Sequence, residues 1–162
     1  RWFDDASTRR AIPPDMLQRL MKRVSASEKR HSGEIRVFVE GGLPISYLWR
    51  QGSVRQIARQ RAVALFGKLR VWDTELNNGV LIYLLLAERS IELVADRGLN
   101  AHVSPQEWQG MVERMRHAFR QGRFEDGLTQ ALEEVSAVLV RYFPLASGET
   151  ERNELPDEPI LR

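Results

Sequence analysis

The sequence predicts an α/β fold: a three-layer α/β/α sandwich around a small mixed β-sheet, with one parallel crossover, one β-hairpin and about four main helices. Three observations carry this reading. Residues 34–40 (EIRVFVE) alternate with period two, as a strand does. Residues 80–87 (VLIYLLLA) are apolar at odd and even positions alike, so this strand must be covered on both faces. A helical segment lies between the two, and a strand–helix–strand unit forms a right-handed parallel crossover.

Each element has its own local signal. Residues 1–12 form a polar lead-in with an aromatic pair, Trp2 and Phe3. Pro13 and Pro14 suit a first helical turn, and Leu17, Leu20, Met21 and Val24 follow at helical spacing. This helix is expected to reach about Arg30, with Ser32 and Gly33 ending it. In the first strand Ile35, Val37 and Val39 point one way and Glu34, Arg36, Phe38 and Glu40 the other. A Gly-Gly-Leu-Pro break leads into a loop with Tyr47, Leu48 and Trp49, a cluster of the kind that covers a core more often than it binds a ligand.

Ser53 and Gln56 have the spacing of a capping box, each satisfying a free amide at a helix start. The helix they open runs to about Leu69. Val54, Ile57, Ala58, Leu65, Phe66 and Leu69 form its apolar stripe, and Arg55, Arg59, Arg61 and Lys68 its solvated face. After the central strand, Glu88 and Arg89 make a tight turn into a second run, residues 91–95. Ser104 then caps a helix with Pro105 at its first position and Glu107 completing a capping box, inward residues Trp108, Met111, Val112, Met115 and Phe119, and an end at Gly122. A last helix, residues 125–142, turns Leu128, Leu132, Val135, Val138 and Leu139 inward and stops at Pro144. Residues 13–143 thus make one domain, and residues 144–162 an acidic tail expected to be disordered.

Composition narrows function mainly by exclusion. There is no cysteine, hence no disulfide, thiolate metal site or cysteine nucleophile. The net charge of +2 conceals a body of +5 and an acidic tail. That excess is a modest attraction for anions and no strong nucleic-acid signal. No run approaches the ~20 apolar residues of a membrane span. With no signal or anchor visible, a cytoplasmic location is favoured, although the chain begins at Arg1 rather than Met. His31, His102 and His117 lack metal-ligand spacing, and no Walker A loop, G-x-G-x-x-G or G-x-S-x-G elbow is present.

The candidate site follows from topology. Parallel pairing puts the starts of the first two strands at one end of the sheet, and the hairpin returns residue 96 to that end. His31, Ser32, Glu34, Asp73, Glu75, Asn77, Asn78, Asp96 and Arg97 are expected to converge there. Oxygen ligands from Asp73, Asn78 and Asp96 suit a hard cation, Ca2+ or Mg2+, which would activate water or orient a phosphate. Asp73, Glu75, Asp96 and Arg97 are the catalytic candidates, with Arg97 able to grip a phosphate; His31, Glu34, Asn77 and Asn78 are the binding candidates. The same residues also serve plain structural ends: Asp73 and Asp96 as caps, Asn77-Asn78-Gly79 as a turn, His31 as a complement to a helix dipole.

Residues 77–83 (NNGVLIY) followed by residues 91–99 (IELVADRGL) resemble the TPM domain family of thylakoid-lumen and photosystem-repair proteins and bacterial relatives. Ser32-Gly33-Glu34-Ile35 is similar to the family's Ser-Gly-x-Glu-Ile entry, one residue shorter, and residues 119–127 (FRQGRFEDG) to its F-x-x-G-x-(F/Y)-x-x-G link. The resemblance implies the same α/β/α sandwich. It also implies a divided set of roles, since some members bind divalent cations, some are described as acid phosphatases and others look like assembly accessories. Where the family often has Asp-Asn-Gly-Val, this chain has Asn77, which weakens a metal role carried over at that position. The expectation is therefore a non-catalytic binding or accessory module with a protein partner and a cation site. The alternative is a metal-assisted phosphatase acting at the Asp73–Asn78/Asp96 end of the sheet.

Overall fold

The computed structural model describes residues 12–145 and 160–161. The element order is α1 (Pro14–Glu28), β1 (Glu34–Glu40), α2 (Val54–Lys68), β2 (Gly79–Leu85), β3 (Ser90–Ala95), α3 (Pro105–Arg120), α4 (Phe124–Tyr142) and β4 (Ile160–Leu161), with short 3-10 turns at Ile45–Tyr47 and Arg97–Leu99. The strand order is β3-β2-β1-β4. β1 and β2 are parallel, with Glu34 opposite Gly79, and β2 and β3 antiparallel, with Val80 opposite Ala95. The predicted crossover and hairpin are both present, and the fold is the expected α/β sandwich.

Every residue of β1 and β2 is buried. Ile35, Val37, Val39, Val80, Ile82 and Leu84 face a large core with α1, α3 and α4. Phe38, Leu81, Tyr83 and Leu85 face α2. Apolar residues on both alternating faces are what a strand covered from both sides requires. Each fully buried Leu, Ile or Phe contributes about 1.5–3 kcal/mol relative to exposure, which makes β2 the energetic axis of the domain.

The helix starts follow their local chemistry. Ser53 Oγ accepts from the Gln56 amide at 3.2 Å while Gln56 Oε1 accepts from the Ser53 amide at 3.0 Å. Ser104 Oγ accepts from the Glu107 amide at 3.2 Å, which is one half of the expected box; the Glu107 side chain does not return the bond.

Three expectations change. Of the expected α2 stripe, Ala58 and Leu65 are buried and Phe66 and Leu69 pack against the same core; Arg61 and Ala62 join them, whereas Val54 is 44% exposed. The two alanines let the helix lie close to the sheet, and Arg61 points inward because β1 and β2 offer it a partner there. In the loop after β1, Tyr47 is buried but Trp49 is 85% exposed, so only the tyrosine covers the core. Ile12, the last residue of the expected lead-in, is fully buried, and Ile160–Leu161, in the expected disordered tail, pair parallel with β1 at Phe38 and Val39. Trp2, Phe3 and residues 146–159 lie outside the described residues. No helix among the described residues is long and apolar enough to cross a membrane.

Candidate functional site

The sheet's polar end is built by backbone bonds between three loops. The Asp96 amide donates to Gly79 O at 2.9 Å, the Gly98 amide to Asn77 O at 2.8 Å, and the Glu34 amide to Asn78 O at 3.4 Å. Asn77 has φ 54°, a left-handed conformation that asparagine tolerates. The junction leaves no space at its glycines. A Cβ on Gly79 would lie 2.1 Å from Val71 O, and one on Gly98 2.4 Å from both Leu76 O and Asn77 O. Gly98→Ala is accordingly expected to force the two loops apart and destabilise by about 1–3 kcal/mol. Thermal unfolding checks it: each kcal/mol lowers Tm by about 2–4 °C in a chain of this size.

Two side chains at this end, Asp96 and Asn78, help to hold the loops. Asp96 Oδ1 accepts from the Arg97 amide at 2.7 Å, capping the short turn that follows β3. Asp96 Oδ2 is buried with no hydrogen-bond partner among the described residues. Asn78 is buried and donates from Nδ2 to Ser32 Oγ at 3.3 Å, and its amide donates to Thr74 Oγ1 at 3.1 Å. Asp73 is exposed and pairs with Arg70 at 2.8 Å. Glu75 and Arg97 are exposed, Asn77 is half-buried and Glu34 is buried. Among the described residues no three of His, Cys, Asp and Glu are grouped to hold a metal. The donor set that fits a hard cation is therefore narrow: the unpartnered Asp96 oxygen with neutral loop oxygens, less charge than a tight calcium site carries.

His31 has a different setting from the one expected. It is 1% exposed, with Nε2 2.6 Å from Ser27 Oγ, which lies 2.5 Å from Ser136 Oγ. Burial drives the imidazole pKa down to about 4, so the ring is neutral at neutral pH and supplies no charge to a helix dipole. Ser27 stands four residues before His31, a helical spacing visible in sequence, whereas Ser136 comes from α4 and carries no such signal.

A second buried cluster sits under α2. Arg61 donates from Nε and Nη2 to the two carboxylate oxygens of Glu40 at 3.0 and 2.8 Å, and the Tyr83 hydroxyl donates to Glu40 Oε1 at 2.8 Å. Burial first, then the Glu40 charge, pushes the Tyr83 hydroxyl far up, which keeps it a donor. The guanidinium of Arg61 also lies over the Tyr47 ring, 5.4 Å from its centroid.

Comparison with known proteins agrees with this architecture. The family model of the TPM domain matches residues 8–138. The chain belongs to the TPM domain family. Among solved structures it is similar to the BA42 protein from the psychrophilic bacterium Bizionia argentinensis, determined by NMR, with a TM-score of 0.75 and 28% identity over 91% of this chain and 93% of that one. It also shares its fold with the N-terminal domain of a P. gingivalis protein, at a TM-score of 0.61 and 17% identity over 82% and 81% of the two chains. No curated protein matches.

Beside β3, and reaching the sheet's polar end at Ala95, this TPM domain carries an open cleft of about 750 Å³. One wall is α2, with Arg55, Gln56 and Arg59; the other is the segment from Asn100 to α3, with Val103, Pro105, Trp108 and Val112. Glu92, 6% exposed, and Leu93 form the floor. Burial raises the Glu92 carboxyl, and the Arg59 guanidinium acts against it. Sequence reading missed this cleft because its walls come from helices on opposite faces of the sheet.

Proposed function

We propose that this TPM domain is a non-catalytic binding or accessory module that takes a hard divalent cation, Ca2+ or Mg2+, where the loops after α2 and β3 meet, and that acts through a protein partner. The observation that carries the cation reading is Asp96 Oδ2: a buried carboxylate oxygen without a hydrogen-bond partner among the described residues, beside loops tied by their own carbonyls. Such an oxygen is costly to leave unpaired, and a hard cation would satisfy it. Asn78 would be the neutral neighbour. Asp73, paired with Arg70, would join only by leaving that exposed ion pair, which is worth about 0–1 kcal/mol.

Titration of the protein with calcium and with magnesium, followed by amide chemical shifts, is expected to move residues 76–78 and 96–98 saturably. Asp96→Asn is expected to weaken binding by about ten- to a hundredfold. Shifts that ignore this substitution would move the cation elsewhere. Arg97, exposed beside Asp96, favours a second reading, a metal-assisted phosphatase in which the guanidinium grips the phosphate. An aryl phosphate separates the two readings. Divalent-dependent turnover that falls with Asp96→Asn would replace the accessory role with the phosphatase.

A further inference from the structure

We infer that the cleft beside β3 is a docking slot for an extended peptide of alternating acidic and apolar residues, which adds to the sheet as a further strand. The inference rests on the reading of the domain as a binding module, though not on the cation.

β3 is an edge strand among the described residues. The register and the Asp96-to-Gly79 bond fix which backbone groups face outward. In an antiparallel pair the hydrogen-bonded residues alternate. Residues 96, 94 and 92 therefore turn their amides and carbonyls toward β2, and Ile91, Leu93 and Ala95 turn theirs away from it; Leu93 and Ala95 line the cleft, whereas Ile91 is fully buried. The Arg59 guanidinium donates to Leu93 O, which accords with that carbonyl pointing outward. A row of outward backbone groups is a template for strand addition, with the main chain giving affinity and side-chain pockets giving specificity.

The walls define the occupant. A strand laid along β3 would present alternate side chains to α2 and to α3. On the α2 side these meet Arg55 and Arg59, two guanidinium groups against the single buried carboxylate of Glu92. On the α3 side they meet Val103, Pro105, Trp108 and Val112. Acidic residues fit the first wall and apolar residues the second. Arg59 makes the exchange balanced. An incoming amide takes Leu93 O, and the released guanidinium meets the peptide's carboxylate, a charge-assisted bond in place of a neutral-acceptor one. On the opposite wall, Trp108 Nε1 is buried without a hydrogen-bond partner among the described residues, and a peptide carbonyl would satisfy it. Arg55 pairs with Glu113 of α3 at 2.8 Å across the gap between the helices, but both side chains are half-exposed, so this strap opens at little cost. The volume falls in the range of about 300–1,000 Å³ usual for binding sites.

The test uses the whole chain and three synthetic hexapeptides. The first is Glu-Val-Glu-Ile-Glu-Val, the second replaces each Glu with Lys, and the third is the first with alternate backbone amides methylated. NMR titration is expected to shift the amides of Leu93 and Ala95 and the Trp108 indole signal with the acidic peptide. The lysine and methylated peptides are each expected to bind at least about tenfold more weakly, which is about 1.4 kcal/mol. Arg59→Ala is expected to bring the acidic and lysine peptides to within about twofold of each other while the methylated peptide stays weak. Equal binding of the methylated peptide would overturn strand addition. Protection of the Leu93 and Ala95 amides in the free protein that grows with concentration alongside a dimer in sedimentation would make the occupant a second copy and overturn the peptide reading. Repeating the titration in chelator and in calcium separates the two proposals. Loss of peptide binding with saturable calcium binding retained retires the slot alone, and loss of both retires the binding module.

Discussion

Arg61→Ala is expected to cost about 3–5 kcal/mol of stability, because it strands a buried carboxylate. Arg61 is 8% exposed and holds both oxygens of Glu40. Without it, Glu40 keeps one short bond, from the Tyr83 hydroxyl, and an uncompensated charge under α2. Urea unfolding measures the loss. The decisive control replaces the whole cluster, with Arg61→Met, Glu40→Met and Tyr83→Phe together. Buried ion pairs exchanged for apolar residues of similar volume are often neutral or stabilising, so the triple variant is expected to lie well above Arg61→Ala. If the triple variant is the less stable of the two, the cluster contributes more than it costs to bury, and the stranded charge is not the cause.

How far the sequence could be read follows from whether a signal is local. The strand at 34–40, the two-faced run of β2 and the Ser53 and Ser104 caps depend on neighbours within a few residues, and each formed as its pattern implied. Arg61 did not read correctly because charge on a helix usually means solvent. Its burial depends on Glu40 in one strand and Tyr83 in another, partners whose proximity only the sheet creates. The same holds for His31, whose ring bonds Ser27, which in turn bonds Ser136 of α4, 109 residues after Ser27. The meeting of the loops near residues 77 and 96 could be deduced from topology alone. Which groups those loops tie down could not: whether Asp73 turns to Arg70 or toward Asp96 is settled by side-chain geometry, which leaves no trace in residue order. The cleft beside β3 was the least visible feature, since neither wall looks unusual by itself. A basic helix face and an apolar helix face become a slot only when an edge strand lies between them.

His31 makes the fold sensitive to mild acid, and the sign follows from its burial. In the unfolded chain the imidazole takes a proton near pH 6.5, whereas in the fold its pKa lies at about 4. Above pH 6.5 both states leave it neutral, and the buried ring contributes fully. Between pH 6.5 and 4 the unfolded state binds a proton that the folded state refuses, so stability falls as pH falls. The difference amounts to about 3 kcal/mol at completion, from about 1.4 kcal/mol for each pKa unit. Glu92 works in the opposite direction. Burial raises its carboxyl in the fold, so its unfavourable contribution is relieved as pH drops. Comparing wild type with His31→Gln cancels Glu92 and the ordinary carboxylates, because both chains carry them. Urea unfolding at pH 7, 6, 5 and 4 is expected to show the wild type losing stability more steeply than the variant, by up to about one proton's slope, 1.4 kcal/mol per pH unit. Parallel curves would mean that the ring takes its proton inside the fold. The Ser27–Ser136 pair would then be accepting a charged partner rather than fixing a neutral one.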